Sequence, residues 1–580
     1  MLLIESGLMI AVLALAILAP GDGLRFLEPL ERTLARVARR RRMSVIAAGL
    51  AALALRAAVV PVLPIPYPGL QDEFSYQLMG DTFAHGRLTN PTHPQWVHFE
   101  APFVIHRPTY CSMYYPAQGM FLALGQIVTG HPFWGVWFSN GLMCAAMCWM
   151  LQAWVPPFWA FLGALLAAIR ISTFSYWDNS YYGGAVAALA GALILGALPR
   201  LTRYARLQDG LIMGTGFALL TATRPYEGLF FSLPAVAMLV LWILRRTTRT
   251  PGPPVAGPLL GVLLPLMITI GFLLYYFWRT TGNPLLPPYL VGIRTYSVDP
   301  GFAFLKLRPM PHYFNEVVRQ HYLSWDLGQY EFVRAHPIAS VVVKLSMLWF
   351  FYLGPLLTLP FLLLGFVLPY GMSLRDVPPN TRFLLTVFAT TLAGMMLTVW
   401  INPHYAAPLT PALYALLMMA VCRMRRSNSS QFSGLLAVRA LFMAAFLLLL
   451  LRTAIPLFHL GISNPAIPET WASPWNQLLP RADIENYLNA MGGPQLAIVR
   501  YRPEHSPREG WVSNHADIDH SKIVWAHDMG DAANRELIEY FKDRTAWLIE
   551  PDTVPPKVSP YVPEPRGQAQ AAKSSPSGGH

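Results

Sequence analysis

Two adjacent acids, Asp72 and Glu73, stand near the start of the polar stretch QDEFSYQLMGDTFAHGRLTNP at residues 71–91. The stretch lies between two apolar runs, in a chain in which only 13% of the residues are charged. A carboxylate within hydrogen-bond reach of a hydroxyl group can take its proton, which is the chemistry of a general base. The alternative is structural, because acids at the start of a helix also cap it and interact with its dipole. The position at the membrane edge favours the chemical role.

A single arginine, Arg224, lies between two apolar runs in the segment TATRPYEG. An arginine in hydrocarbon costs about 2.5 to 3.5 kcal/mol on insertion scales, so such a residue faces a cavity or a partner. Glu227, three residues later, is the nearest charged partner. A structural pair with Glu227 and the binding of a phosphate group are therefore the two alternatives for Arg224.

Three other polar segments contain candidates for binding. His404 and Tyr405, in NPHYAAP, could donate hydrogen bonds to phosphate oxygens or anchor a helix at the membrane interface. Arg107, beside His106 in IHRPTY, either binds a ligand or is a solvated surface charge. Asp178, in WDNSYYGGA, either lines a cavity or caps a helix.

The composition indicates a membrane protein with many spans. Hydrophobic residues make up 54% of the 580 residues, which is too apolar for an ordinary soluble globule. The net charge of +12 comes from short basic clusters between apolar runs. This placement orients membrane helices, and we therefore expect no nucleic-acid partner. The four cysteines indicate neither a disulfide framework nor a zinc site.

Apolar segments of about 20 residues, the length that a bilayer core requires, predict about twelve transmembrane helices. They lie near residues 3–20, 43–64, 133–153, 155–172, 183–198, 208–223, 226–244, 255–277, 340–368, 382–400, 404–422 and 436–456. The shorter run at residues 117–129 predicts an interfacial helix. The first segment lacks a basic start and a cleavage site, so we expect a retained helix rather than a signal peptide.

Basic clusters determine the expected orientation of these helices. Five clusters fall on one side, at residues 39–42, 200–206, 245–249, 375–382 and 423–426. The positive-inside rule makes that side cytoplasmic. The loop at residues 65–132, the loop at residues 278–337 and the tail after residue 458 are then expected to face outward.

The tail is more polar than the rest of the chain. It contains two segments with a helical pattern and three short strand-like segments, which predict a small soluble α/β domain. We predict five regions: N-terminal transmembrane helices with a basic cytoplasmic loop at 1–64, an outer loop at 65–132, a polytopic region at 133–458, the soluble domain at 459–553 and a disordered tail at 554–580. The last region is rich in Pro, Ser, Gly and Ala.

Three features together resemble the GT-C membrane glycosyltransferases. These are the acid pair after an early apolar segment, the YPAQG segment that begins at Tyr115 before a short apolar helix, and the outward tail domain. The protein O-mannosyltransferase and lipid A aminoarabinose transferase group, which is glycosyltransferase family 39-like, is the most similar. The segment NPHYAAPLTPALYAL at residues 402–416 resembles a late helix of that family. The chain departs from the family in an additional first helix and in the single proline of YPAQG.

The resemblance implies a polytopic α-helical fold of the GT-C type with a small C-terminal soluble α/β domain. It also implies transfer of a sugar from a polyprenyl-phosphate-linked donor to a lipid, glycan or protein acceptor, on the outer face of a bacterial cytoplasmic membrane. By carry-over onto this sequence, Asp72 is expected to be the catalytic base and Glu73 the second acid, and both are candidate ligands of a divalent metal, Mg or Mn. The substrate-binding candidates are Arg107, Tyr115, Asp178, Arg224, His404 and Tyr405.

Two other functions remain open at the level of the sequence. A transporter or flippase of a lipid-linked saccharide predicts ionisable residues in mid-span and two matching halves, and the sequence shows few of the former and no clear halves. A non-catalytic membrane subunit predicts that the acid pair is dispensable. The sequence contains no Gly-rich phosphate loop, zinc-protease motif or serine-nucleophile elbow, which argues against a nucleotide-driven pump and a hydrolase.

Overall fold

The computed structural model of the chain describes residues 1–19, 23–249, 255–367, 377–429, 432–458, 460, 479–506 and 509–562. Its α-helices are α1 (Leu2–Leu18), α2 (Glu28–Arg39), α3 (Arg41–Ala58), α4 (Gln71–Ala84), α5 (Pro116–Thr129), α6 (Phe133–Leu151), α7 (Pro157–Arg170), α8 (Ala185–Tyr204), α9 (Leu207–Thr223), α10 (Pro225–Arg249), α11 (Ala256–Thr281), α12 (Pro288–Tyr296), α13 (Glu316–Gln320), α14 (Leu327–Ala335), α15 (Pro337–Tyr352), α16 (Gly354–Val367), α17 (Pro379–Met396), α18 (Thr410–Arg426), α19 (Gly434–Leu457), α20 (Pro480–Ala490) and α21 (Asp531–Tyr540). The strands are β1 (Val104–Ile105), β2 (Cys111–Ser112), β3 (Asn428–Ser429), β4 (Phe432–Ser433), β5 (Gln495–Val499), β6 (Ile523–His527), β7 (Thr545–Glu550) and β8 (Lys557–Pro560). A π-helical turn, His321–Asp326, joins α13 to α14.

Five helical segments of the described residues are long and apolar enough to cross a bilayer. They are Ala185–Tyr204, Pro225–Arg246, Ala256–Thr281, Ala407–Arg426 and Gly434–Leu457. A sixth results if Glu316–Ala335 and Pro337–Tyr352, which are bent by 115°, are taken as one broken span. Leu2–Leu18, Pro157–Arg170 and Gly354–Leu364 are apolar but shorter. The predicted membrane-helical architecture is therefore present, whereas the predicted count of about twelve spans is not confirmed.

The predicted span at residues 340–368 is divided into the two helices α15 and α16. Gly354, the first residue of α16, has a φ of +57°, which glycine adopts without steric cost. A Cβ atom at Gly354 would lie 2.5 Å from a carboxylate oxygen of Glu5 and 2.7 Å from the guanidinium of Arg170. Glu5 and Arg170 form a buried ion pair at 2.9 Å. The helix therefore breaks at the point where the chain passes close to this ion pair.

The three segments that the sequence predicts on the outer side pack against each other. Leu78 of the first loop shares a buried hydrophobic cluster with Leu496 of the C-terminal domain. Asn315 of the second loop donates a hydrogen bond to the carbonyl of Val97 in the first loop, at 2.8 Å. We call the end of the helix bundle that carries these three segments the loop face.

Basic residues gather at the other end of the bundle. The side-chain amide of Gln152 donates a hydrogen bond to the carbonyl of Arg41 at 3.0 Å, and Arg200 donates to the carbonyl of Trp149 at 2.8 Å. Helix α6 connects the two ends, since it begins directly after α5 of the first loop and ends at Leu151. The charge asymmetry along the bundle thus follows the pattern that the positive-inside rule predicts.

The predicted small C-terminal domain contains a four-stranded sheet in the order β6-β5-β7-β8. Strand β5 is parallel to β6 and β7, and β8 is antiparallel to β7. Strand β8 lies beyond residue 553, where the sequence predicts a disordered tail, because its ladder with β7 provides the backbone partners that composition does not reveal. The predicted regions at residues 461–478 and 563–580 lie outside the described residues.

Helix α4, which carries the acid pair, lies in the interior of the loop face. Ten of its fourteen residues are buried. It packs closely on α5, where a Cβ atom at Gly80 would lie 2.8 Å from Cβ of Leu122. The C-terminal domain covers another part of α4, where Leu78 packs with Leu496 and Phe74 stacks under Arg481.

Candidate active site

Glu73 caps the helix on which it lies. One oxygen of its carboxylate accepts hydrogen bonds from the backbone N–H groups of Gly69, at 2.8 Å, and Leu70, at 3.1 Å. The other oxygen accepts the backbone N–H of Tyr181 at 3.3 Å. The bond from Leu70 is the glutamate half of a capping box, in which a Glu in the first turn reaches back to the N–H of the residue before the helix. The Glu73 side chain is fully buried and is held by backbone N–H groups at the start of α4, whereas the resemblance implies a second catalytic acid at this position.

Asp72 has different surroundings from its neighbour. Its side chain is partly exposed, and it accepts a hydrogen bond from the hydroxyl of Tyr114. The ring of Tyr114 stacks on the ring of Tyr76, with 4.4 Å between the centroids and 4° between the planes. Tyr76 lies one helical turn after Asp72, as the four-residue spacing predicts. Asp72 is therefore the acid of the pair that lies beside a polar aromatic surface.

Arg224 lies at the loop-face end of a membrane-spanning helix. It is the residue between α9 and α10, and its guanidinium lies over the ring of Tyr405, 4.4 Å from the centroid. Glu227 follows within the first turn of α10. The cation thus stacks on an aromatic ring, an arrangement that is favourable by about 0.5–2 kcal/mol.

The charges of Asp72 and Arg224 influence the pKa values of the same two tyrosines. Burial raises the pKa of Tyr76 to about 12, while the positive charge of Arg224 opposes the rise and the negative charge of Asp72 adds to it. Burial also raises the pKa of Tyr405, with the same two charges acting in the same two directions. A carboxylate and a guanidinium therefore converge here. We call Asp72, Tyr76, Tyr114, Arg224 and Tyr405 the tyrosine cluster.

Tyr115, a predicted binding residue, lies at the margin of the tyrosine cluster. Its ring packs near the ring of Phe277, with centroids 6.1 Å apart, and near that of Tyr289, with centroids 6.5 Å apart. Burial raises the pKa of Tyr115, and the charge of Glu227 adds to the rise. Tyr115 thus links the first loop to the second loop beside Glu227.

The second loop brings residues that the sequence reasoning did not identify. One of them is Asp326, the last residue of the π-helical turn. The negative charges of Asp299 and Asp72 interact with its carboxylate. Burial raises the pKa of Tyr289 in α12, the charges of Glu227 and Asp326 add to the rise, and the charge of Arg224 opposes it. Single-turn π-helices occur frequently at functional sites. In the sequence, an acid within an aromatic stretch, LSWDLG, was the only available signal.

Two other predicted binding residues lie apart from the tyrosine cluster or are engaged in packing. Arg107 is exposed, with its guanidinium 4.7 Å from the ring centroid of Trp96. His404 is buried, and its Nδ1 lies 2.9 Å from the hydroxyl of Tyr176, which also accepts the backbone N–H of His404. Arg107 therefore lies on the surface against Trp96, and His404 is held next to Tyr405 by its contacts with Tyr176.

Asp178 is enclosed by protein. Only 1% of its surface is exposed, and neither carboxylate oxygen has a hydrogen-bond partner among the described residues. Burial raises the pKa of Asp178 well above its usual range, and the charge of the fully buried Arg56 opposes the rise. Asp178 therefore does not line an accessible surface, although the sequence allowed that role.

The acid pair does not provide two metal ligands. Glu73 holds three backbone N–H groups, and Asp72 accepts a hydrogen bond from Tyr114. No group of three or more His, Cys, Asp or Glu side chains that could hold a metal ion occurs in the described part of the chain. The residues at hand therefore do not fit the Mg or Mn site that the resemblance suggested through Asp72 and Glu73.

Comparisons with known proteins identify similar solved structures. No family model and no curated protein matches the chain. The chain is similar to ArnT from Cupriavidus metallidurans bound to undecaprenyl phosphate, with 12% identity, a TM-score of 0.47, and coverage of 87% of this chain and 92% of that one. It is also similar to the oligosaccharyltransferase of Archaeoglobus fulgidus tethered with an acceptor peptide, with 11% identity, a TM-score of 0.41, and coverage of 88% and 68%.

A third similar structure is the arabinosyltransferase EmbB from Mycobacterium smegmatis. The identity is 12%, the TM-score is 0.39, and the match covers 74% of this chain and 39% of that one. The second structure is named as an oligosaccharyltransferase and the third as an arabinosyltransferase. At these identities the likeness concerns the fold.

Proposed function

We propose that the protein is a glycosyltransferase of a bacterial cytoplasmic membrane, with the loop face and the C-terminal domain outside the cytoplasm. It transfers a sugar from a polyprenyl-phosphate-linked donor to an acceptor hydroxyl at the loop face. The observation that carries the proposal is the tyrosine cluster, in which a partly exposed carboxylate and a guanidinium converge at the end of membrane-spanning helix α10.

Asp72 is the base of the proposed reaction. The acceptor oxygen forms a bond to the anomeric carbon, the bond between that carbon and the phosphate oxygen breaks, and the hydroxyl proton passes to the carboxylate of Asp72. The phenol of Tyr114 stays protonated, because burial raises its pKa well above the usual range. Its hydrogen bond therefore fixes the orientation of the carboxylate, as general base catalysis requires.

Arg224 binds the phosphate of the donor and of the departing lipid. The phosphate gains negative charge as the bond to the sugar breaks, and a guanidinium stabilises that charge through strong hydrogen bonds. The N-terminus of α10 begins directly after Arg224 and adds a favourable helix dipole. A lipid-linked phosphate is confined to the membrane surface, which is where this end of α10 lies.

The test is transfer of radiolabelled sugar by the purified protein in lipid from a panel of synthetic polyprenyl-phosphate donors. We expect Asp72→Asn to lower the rate of transfer by about 10²- to 10⁴-fold, the usual contribution of a general base, with donor binding retained. Glu73→Gln keeps an acceptor oxygen for the cap, so it is expected to lower stability more than the chemical step. Glu316→Gln, which changes an exposed acid of the second loop, is the matched control.

The outcomes separate the proposal from its alternatives. Wild-type protein that binds donors and moves them across vesicle membranes without transfer would be a flippase. Wild-type protein without donor binding would be a non-catalytic subunit. Transfer that is unchanged by Asp72→Asn would contradict the role of Asp72 and would leave the enzyme without its proposed base.

A further inference from the structure

The C-terminal domain contacts helix α4 at both of its ends. The helix is about 20 Å long, from its fourteen residues at 1.5 Å each. Asp72 lies in its first turn and Asp81 in its last turn. The two contacts involve different segments of the domain, so each can be examined separately.

At the first end, an arginine of the C-terminal domain is stacked between aromatic rings. The guanidinium of Arg481 lies 4.6 Å from the ring centroid of Phe74 in α4 and 4.5 Å from that of Trp525 in β6. Leu70, the residue before α4, forms an antiparallel β-bridge with Glu509. The domain therefore holds the backbone and a side chain on either side of Asp72.

At the second end, the carboxylate of Asp81 bridges three elements. It accepts the backbone N–H of Ala516 at 2.8 Å and the side-chain amide of Gln126 in α5 at 2.8 Å. The imidazole Nδ1 of His515 lies 3.7 Å from the same carboxylate, and that of His85 lies 3.3 Å from it. Asp81 is only 8% exposed, so these partners replace the water that the charge would otherwise require.

The electrostatic effects agree with this geometry. Burial would raise the pKa of Asp81, but the contact with His515 and the hydrogen bonds from Ala516 and Gln126 hold the pKa well below its usual range. The pKa of His515 is raised, chiefly by its contact with the carboxylate of Asp81. Two of these partners, His515 and Ala516, belong to the C-terminal domain, so the charged form of Asp81 is stabilised more strongly when the domain lies against α4.

We propose that the C-terminal domain positions Asp72 by holding α4 at both ends, with Arg481 and Asp81 as positioning residues. This inference rests on the proposed function of Asp72 as the base. A base must approach the acceptor hydroxyl to within hydrogen-bond distance, and a misplacement of about 1 Å can cost about 10²-fold in rate. The domain thus completes the active site without itself contacting the reacting atoms.

The first experiment compares Asp81→Ala and Asp81→Asn in the full-length protein in lipid. We expect Asp81→Ala to lower kcat by about 10- to 100-fold with little change in KM for the donor, because Arg224, the proposed phosphate-binding residue, lies outside α4. Asn retains the oxygen that accepts the N–H of Ala516, so Asp81→Asn should recover most of kcat. Asp517→Ala, which removes an exposed acid of the same domain, is the matched control.

A reversible cross-link supplies the second measurement. Cα atoms that face each other in an antiparallel bridge are about 4.5–5.5 Å apart, which suits a disulfide. The substitutions Leu70→Cys and Glu509→Cys, added to Asp81→Ala, should therefore restore kcat on oxidation and lose it again on reduction. A purely structural defect at Asp81 would not be repaired by a bond at the other end of the helix.

Hydrogen exchange of the α4 amides distinguishes the two proposals from each other. Faster exchange in Asp81→Ala, in a protein whose wild type transfers no sugar, would support the docking role and reject the proposed function. Normal kcat in Asp81→Ala, in a protein whose wild type transfers sugar, would overturn the present inference. Reduced kcat that the oxidised cross-link fails to restore would overturn it as well.

Discussion

Two acid and arginine combinations lie near the loop face, and they differ in access. Asp72 and Arg224 are both partly exposed and share a surface of tyrosines. Asp178 and Arg56 are 1% and 0% exposed, and the hydrogen bonds of Arg56 go to the carbonyls of residues 63 and 64. The same two residue types are therefore accessible in one combination, Asp72 and Arg224, and enclosed in the other, Asp178 and Arg56. The difference is whether a substrate can reach the charge.

The largest expected effect concerns the enclosed pair. Arg56→Met removes the cation that faces Asp178 and the donors to two carbonyls, and we expect it to lower the free energy of unfolding by about 3–5 kcal/mol. Exchange of both residues, Arg56→Met with Asp178→Leu, should recover most of this loss, since an apolar pair of similar volume is tolerated. Unfolding in detergent measures both variants. A double variant as unstable as the single one would contradict the pairing.

A substitution in the accessible pair, Asp72 and Arg224, should change donor binding and leave the stability of the protein nearly unchanged. Arg224→Gln removes a charged donor to phosphate, and we expect the affinity for the polyprenyl-phosphate donor to fall by about 100-fold, which corresponds to about 3 kcal/mol. The unfolding transition should stay close to that of the wild type. Arg107→Gln, at the exposed arginine on Trp96, is the control and should bind donor normally. Equal donor affinity in both variants would contradict the proposal that Arg224 binds the donor phosphate.

A smaller change probes how Asp72 is oriented. Tyr114→Phe deletes the hydroxyl that donates to the Asp72 carboxylate and keeps the ring that stacks on Tyr76. We expect kcat to fall by about tenfold, or about 1.4 kcal/mol, with little change in KM. Steady-state kinetics in lipid gives both values. A change confined to KM would instead assign Tyr114 to substrate binding.

The smallest expected effect is on the pH dependence of docking. The raised pKa of His515 means that its contribution is fully present below about 6.5 and is lost as the pH rises through the raised value, while the lowered pKa of Asp81 keeps that acid charged throughout this range. Two nearby charges also affect the pKa of His515: Glu485 raises it and Arg481 lowers it. Because the His515 side chain is largely exposed, we expect a decline in kcat of about two- to threefold.

The control for this pH effect is His515→Asn, which cannot carry the charge. Its kcat should lack the decline on the alkaline side that the wild type shows. The comparison requires full pH profiles of both proteins in the same lipid. An identical decline in the variant would assign the titration to another group.

The sequence predicted the membrane-helical architecture and the small C-terminal domain, but the predicted count of about twelve spans is not confirmed. Apolar segments predicted the helices of the bundle, basic clusters predicted which segments share a face, and alternating patterns predicted β5, β6 and β7. These features depend on the local periodicity of apolar residues and on whether a segment is next to lipid or next to water. Strand β8 was missed because its pairing with β7, and not its own composition, determines its structure.

The roles of individual charged residues could be predicted only in part. Asp72 and Glu73 are adjacent in sequence, yet Glu73 faces the N–H of Tyr181, which is 108 residues away. Asp178 lies in a polar aromatic turn that suggests exposure, but helices that are distant in sequence enclose it. Burial and access are set by tertiary packing, so sequence patterns leave such alternatives open.

The contact between Asp81 and Ala516 spans 435 residues of the chain, and this has a consequence for biosynthesis. At a typical synthesis rate of about 5–20 residues per second, roughly 20 to 90 s pass between the synthesis of Asp81 and that of Ala516. If the C-terminal domain positions Asp72 as proposed, the arrangement around α4 is completed only after residue 516 has been synthesised. A newly made chain should therefore have low activity until then, and so should a product of termination before residue 516.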